Sequence, residues 1–176
     1  MNDTQWPRWE VFKKDTANKP YQAVGSVHAA DADHALLNAR NVFVRRPQAV
    51  SLWVVRETDI FSRTQEELSN DPVGHENDGD DEIVSYTVFR KVSHRRAMTF
   101  MDHVGDVEAS DPQTALQQAM TQFDDKPALA WWIIPTSTLI STEPDVADAW
   151  FAPAKTKTYK NQSAYGLVSA RKKSEE

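Results

Sequence analysis

The sequence predicts an α+β protein built from two tandem ββαβ units and a C-terminal arm. Three observations carry that expectation. The phrase VGSVHAAD (Val24–Asp31) returns as VGDVEASD (Val104–Asp111). Around each copy, apolar periodicity changes from two to 3.6 residues and then to a short continuous run. Between the copies lies an acidic stretch poor in apolar residues. The expected boundaries are 1–65 for the first unit, 66–82 for a flexible linker, 83–143 for the second unit and 144–176 for the arm.

Each element has its own signal. WEVFKK (Trp9–Lys14) and YTVFRK (Tyr86–Lys91) alternate apolar and polar residues, as half-buried strands do. AVGSVHA and HVGDVEA alternate as well, so each first pair is expected to form an antiparallel hairpin. Gly25 and Gly105 inside those strands mark a bulge or a close backbone approach. Asp31 and Asp111 suit helix N-caps, and Pro112 stands at a favoured first helical position. Ala35, Leu36, Ala39, Val42 and Phe43 share one helical face, and Ala115, Leu116, Ala119 and Phe123 repeat it. Prolines in RRPQ and DKPA end the helices, and LWVV and WWII then read as central strands. Trp53 and Trp132 occupy equivalent positions there and are expected in the core. QEELSNDPVGHENDGDDE reads as linker, and the stretch from Glu143 onward as an extended arm with aromatic anchors. Duplication explains the whole pattern.

Composition narrows the chemistry. The 176 residues contain no cysteine, which excludes disulfides, thiolate metal sites and cysteine nucleophiles. No apolar run approaches the roughly 18 residues that span a bilayer, and the N-terminus lacks a signal-peptide pattern, so a cytoplasmic protein with no membrane partner is expected. The net charge of −6 is unevenly spread: residues 66–82 hold eight acids and no Lys or Arg, whereas residues 153–176 hold six basic residues against two acids.

A catalytic constellation is missing. Histidines stand at 28, 34, 75, 94 and 103, with Glu108 and Thr114 in the second copy at the places of His28 and His34. Such scattered residues do not form a metal-ligand spacing. Five glycines without clustering give no phosphate loop. No Glu-x-x-His occurs, and Asp31-Ala-Asp33-His34 reads as a helix cap, so neither a metal nor a cofactor is expected in this chain. In contrast there are six tryptophans. Trp6 before the first strand, and Trp150 with Phe151 in the arm, read as interface anchors, with intramolecular packing as the other reading.

WPRWEVFKK, VGSVHAADADHALLNARNVFVRR and SLWVVRETDI, in this order, resemble the B-subunit family of phenylacetyl-CoA epoxidase, the phenylacetate-degradation B (PaaB) family. Its short C-terminal signature is similar to the stretch Ala152–Lys160, with Ala152 in place of an acid and Lys160 in place of an arginine. The resemblance implies a β-grasp-like (ubiquitin-roll-like) unit, usually present once, and a non-catalytic, structural subunit of a multicomponent oxygenase. It implies partners: a diiron A subunit that epoxidises the ring of phenylacetyl-CoA, a structural C subunit and a reductase E subunit. The diiron centre, FAD, iron-sulfur cluster and NADPH belong to those partners. Arg40, Arg45 and Arg46 face Met120, Asp125 and Lys126 in the second copy, so they suit contacts made by the first copy alone. Together with Trp6, Trp150, Phe151, Lys155, Lys157, Tyr159 and Lys160 they form the expected partner interface. The competing readings are a nucleic-acid-binding module using the basic arm, which the acidic chain and lack of a readout motif disfavour, and a stand-alone CoA-thioester enzyme.

Overall fold

Twelve helices and strands follow one another in the computed structural model, which describes residues 5–44, 49–70, 82–93 and 100–156. The first run is β1 (Arg8–Lys14), β2 (Gln22–His28), α1 (Ala32–Phe43), β3 (Ser51–Arg56), β4 (Phe61–Thr64) and α2 (Gln65–Asn70). The second is β5 (Val84–Lys91), β6 (Asp102–Ala109), α3 (Pro112–Gln122), β7 (Ala130–Pro135), β8 (Ile140–Ser141) and α4 (Pro144–Thr156). The α+β class and the order strand-strand-helix-strand in each run are as the sequence predicts.

Both hairpins are antiparallel, and both glycines make a bulge and a close approach at once. The β1–β2 register shifts between Val11 and Phe12, opposite Gly25. Gly25 has φ +138°, and a Cβ there would lie 2.9 Å from the Phe43 ring. Gly105 repeats this with φ +155° against the ring of Phe123. Both positions therefore need glycine for conformation and for space. Asp31 caps α1 by accepting from the His34 amide at 2.8 Å. Asp111 caps α3 more fully, accepting from the amides of Gln113 at 2.8 Å and Thr114 at 3.0 Å, and from the Thr114 hydroxyl at 2.6 Å. Val42 departs from the expected core face and is 51% exposed; Val44, where the backbone leaves the helix, fills that end of the core.

The β-grasp-like expectation is corrected by strand direction. A β-grasp sets its first and last strands parallel, whereas β3 and β7 run antiparallel to β1 and β5. Each run is thus a split β-α-β arrangement, with the hairpin's first strand inserted between the two strands that the helix joins. All eight strands form one sheet in the order β4-β7-β5-β6-β2-β1-β3-β8.

That order contains an exchange. After a single 3-10 turn at Glu57–Asp59, β4 leaves its own run and pairs with β7 from Phe61↔Ile133 to Thr64↔Ala130. After the matching turn at Thr136–Thr138, β8 pairs with β3 through Trp53↔Ser141 and Val54↔Ile140. The expected boundary at 65/66 therefore cuts through α2, and the boundary at 143/144 falls between β8 and α4, both seated on the first half. Gln65–Asn70 is a helix, not linker, and Pro144–Thr156 is a helix, not an extended arm. The rest of the expected linker, residues 71–81, and of the arm, residues 157–176, lie outside the described residues.

The sheet folds over on itself. Along a flat sheet β1 and β5 would stand about 14 Å apart, three strand spacings, yet the rings of Phe12 and Phe89 stack at 4.1 Å. Two half-sheets therefore face each other across Phe12, Ala23, Val55, Phe89, Met101 and Ile134. Trp53 and Trp132 are half-buried at the margin of this middle core. On the outer faces, α1 covers a core built on Trp9, Val11, Leu52 and Val54, and α3 covers one built on Tyr86, Val88, Trp131 and Ile133. Strand β1 is consequently buried on both faces along Trp9–Phe12, where alternation had suggested one.

Candidate functional site

Helix α4 brings the arm's aromatics onto the first half. Its apolar positions Val146, Ala147, Trp150 and Phe151 follow helical spacing, and Phe151 is 3% exposed within the core beneath α1. Trp150 is half-buried, in edge contact with Phe151 at 5.3 Å. Arg40, on α1, lies over the Trp150 ring at 4.8 Å and donates to its carbonyl at 3.4 Å. Three expected partner contacts are thus engaged within the chain. A cation over an indole face is favourable in its own right, so Arg40 and Trp150 also tie α1 to α4.

Between α1, β8 and α4 lies a groove of about 440 Å³. Leu36, Leu37, Ile140, Val146 and Trp150 give it an apolar floor and walls, and Asp33 and Glu143 stand at its rim. Leu37 (42%), Ile140 (39%) and Val146 (47%) are exposed. The outer face of α3 is instead polar, with Gln117, Gln118, Thr121 and Gln122 around a shallow concavity. Among the described residues, the helical side of the first half therefore carries an apolar recess, and the outer face of α3 a polar one.

Trp6 is 56% exposed and stands beside that face. It packs edge-on against His34 at 4.8 Å, and its carbonyl contacts His28 Nδ1 at 2.8 Å. The two histidines thus position the N-terminal segment. Arg45, Arg46, Lys157, Tyr159 and Lys160 lie outside the described residues. Lys155 lies in α4, of whose side chain nothing is described.

Among the described residues three charged side chains are buried, Glu10, Arg90 and Lys91. Glu10, 2% exposed, faces the middle core and pairs with Arg8 at 2.6 Å. Burial nevertheless raises its carboxyl above the ordinary range, outweighing the opposing charge and hydrogen bond of Arg8. Arg90, 6% exposed, pairs with Asp125 at 2.7 Å and donates to the carbonyls of Phe123 and Lys126. It therefore satisfies the C-terminal end of α3. Among the described residues no three His, Asp or Glu side chains gather as a metal site. Also among them, no helix is long and apolar enough to cross a membrane.

Sequence reasoning missed α4, its seat on α1, and Leu37 and Val146. The helical spacing of Val146, Trp150 and Phe151 after Pro144 was the available signal. No comparable signal pointed to the strand exchange.

The fold and these surfaces define an α+β protein with one antiparallel eight-stranded sheet and an apolar recess on one half. The chain belongs to the phenylacetic acid degradation B (PaaB) family, whose model matches residues 5–76 and 82–172. It is similar to the B subunit of the 1,2-phenylacetyl-CoA epoxidase of Escherichia coli (strain K12), with 40% identity over 67 residues, covering 38% of this chain and 70% of the relative. No solved structure matches it.

Proposed function

We propose that this chain is a non-catalytic, bridging subunit of a diiron oxygenase complex that epoxidises phenylacetyl-CoA in the cytoplasmic degradation of phenylacetate. The observation that carries the reading is the family match over residues 5–76 and 82–172, together with 40% identity to an epoxidase B subunit. The recurring phrase and the strand-strand-helix-strand order found in both runs support an internal duplication, with one chain doing the work of two single-copy subunits. A covalent link keeps both copies together at any protein concentration, so pairing is not lost by dilution.

The division of labour follows from chemistry. Oxygen activation at two irons needs several carboxylate and histidine ligands converging on one point. The described residues gather no such set, so a diiron centre does not fit those residues. The iron, FAD, iron-sulfur cluster and NADPH then belong to the catalytic A subunit and the reductase E subunit, with a C subunit as structural partner. The proposed contact surface is the helical side of the first half, with exposed Trp6 and the groove between α1 and α4; Arg45, Arg46, Lys155, Lys157, Tyr159 and Lys160 are proposed as partner contacts from the sequence alone. Arg40, Trp150 and Phe151 support that surface from beneath, and Phe151 is withdrawn from direct contact by its burial.

A tagged copy expressed in the native cell should co-purify with the A and C subunits. Adding the purified chain to those subunits should raise epoxidation, while the chain alone turns nothing over. Epoxidation by the isolated chain, or a pull-down empty of oxygenase subunits, would overturn the proposal.

A further inference from the structure

We propose that the joint between the two halves accepts only an unlike half, because the residues on its pseudo-twofold axis complement each other first-with-second and conflict in like pairs. The inference rests on the duplication reading above. In the register of the repeat, Tyr21, Gln22 and Ala23 correspond to Met101, Asp102 and His103. These two triplets meet. Gln22 is paired directly with Asp102, the sole register pair between β2 and β6 among the described residues. On either side, Ala23 N donates to Met101 O and His103 N donates to Tyr21 O, both at 2.9 Å. Each bond is the image of the other. The stacked rings of Phe12 and Phe89 are likewise equivalent residues meeting each other.

On such an axis a residue faces its own equivalent. Two second halves joined this way would set Asp102 against Asp102, like charges directly opposite on paired strands. In the chain as it is, the Gln22 side-chain amide donates to the Asp102 carboxylate at 2.5 Å, a charge-assisted bond. The flanking positions follow the same logic. His103 reaches across the joint to Trp53, with ring centroids 5.7 Å apart, and lies 5.4 Å from Phe89. Its counterpart Ala23 leaves the opposite side to Met101, which is 1% exposed. Two second halves would put an imidazole in both places, the second of them where Ala23 now lies beside Met101. Two first halves would leave both places with a methyl group and no filling ring. Small against large, and amide against carboxylate, specify the unlike pair.

The test exchanges the axis residues in the full chain. Gln22→Asp alone should lower Tm by about 4–8 °C, the scale for losing a charge-assisted bond and gaining repulsion in a chain of this size. Gln22→Asp combined with Asp102→Gln should recover all but roughly 2 °C of that loss, since it restores one amide and one carboxylate. A full-length chain with a protease site inserted in residues 71–81 supplies a second readout. After cleavage, isotope-labelled and unlabelled proteins are mixed and native mass spectrometry should find only first-with-second fragment pairs. A single variant as stable as the parent, a double variant no better than the single, or like-with-like pairs at comparable abundance would each overturn the proposal. Co-purification with the epoxidase subunits tests the functional reading separately, and its failure would not touch the fragment pairing.

Discussion

Truncating Phe151 should destabilise a part of the protein distant from it in sequence. The side chain is 3% exposed and packs in the core formed by Trp9, Val11, Leu36, Leu52 and Val54. Phe151→Ala removes a ring from that core and leaves a cavity, which typically costs about 3–5 kcal/mol. For a chain of this length each kcal/mol moves Tm by about 2–4 °C, so a fall of roughly 6–20 °C is expected. Deleting everything from residue 150 onward should lose at least as much, because Arg40 then also loses the indole face and carbonyl that it engages. An arm lying on a partner alone would predict almost unchanged unfolding, so the two roles separate cleanly. Thermal unfolding by far-UV circular dichroism, with Trp6→Ala as an exposed control expected within about 0.5 kcal/mol of the parent, makes the comparison. A Phe151→Ala variant unfolding with the control would refute the seating of α4 on the first half.

Gly25→Ala should cost about 1–3 kcal/mol, because φ +138° disfavours any side chain and the new methyl would meet the Phe43 ring at 2.9 Å; chemical denaturation measures it. Asp111→Ala should cost about 1 kcal/mol in the same assay as the α3 cap is lost. Partial burial opposes ionisation of Asp111, but its bonds from Thr114, Gln113 and Ser110 prevail and hold its pKa below the usual value. Its contribution is therefore present above the unfolded carboxylate range and lost as pH falls through the folded pKa. The sign reverses for Glu10. Its raised pKa means that ionisation opposes folding, so Glu10→Gln should be more stable than the parent at neutral pH, with the difference vanishing as pH falls below the unfolded carboxylate range. Tm measured across pH checks both.

Local structure was legible wherever a residue acts through its own neighbourhood. Asp31 and Asp111 cap helices because the amides that they satisfy are two or three residues away. Gly25 and Gly105 were readable as special positions, and bulge and close approach proved to be one event. Phe151 was readable as an anchor, but its place was not, since burial in a core and burial in a partner leave the same aromatic signature. Arg40, expected at a partner contact, reaches within the chain a residue 110 positions away, a contact that no local signal announces.

The α+β class, the repeated strand-strand-helix-strand order, the helix caps and the absence of cysteine chemistry were all written in the order of residues. They follow from side-chain periodicity and from hydrogen bonds closed within a few residues. Three features came only with the folded chain: β3 and β7 run antiparallel to β1 and β5, β4 and β8 exchange halves, and the two half-sheets close over Phe12 and Phe89. Strand direction and partner choice depend on which backbone edge is left open once the neighbouring strands have paired. Four-residue β4 and two-residue β8 carry too few side chains to name that edge. The edge belongs to the other half of the chain, and only its position in space identifies it.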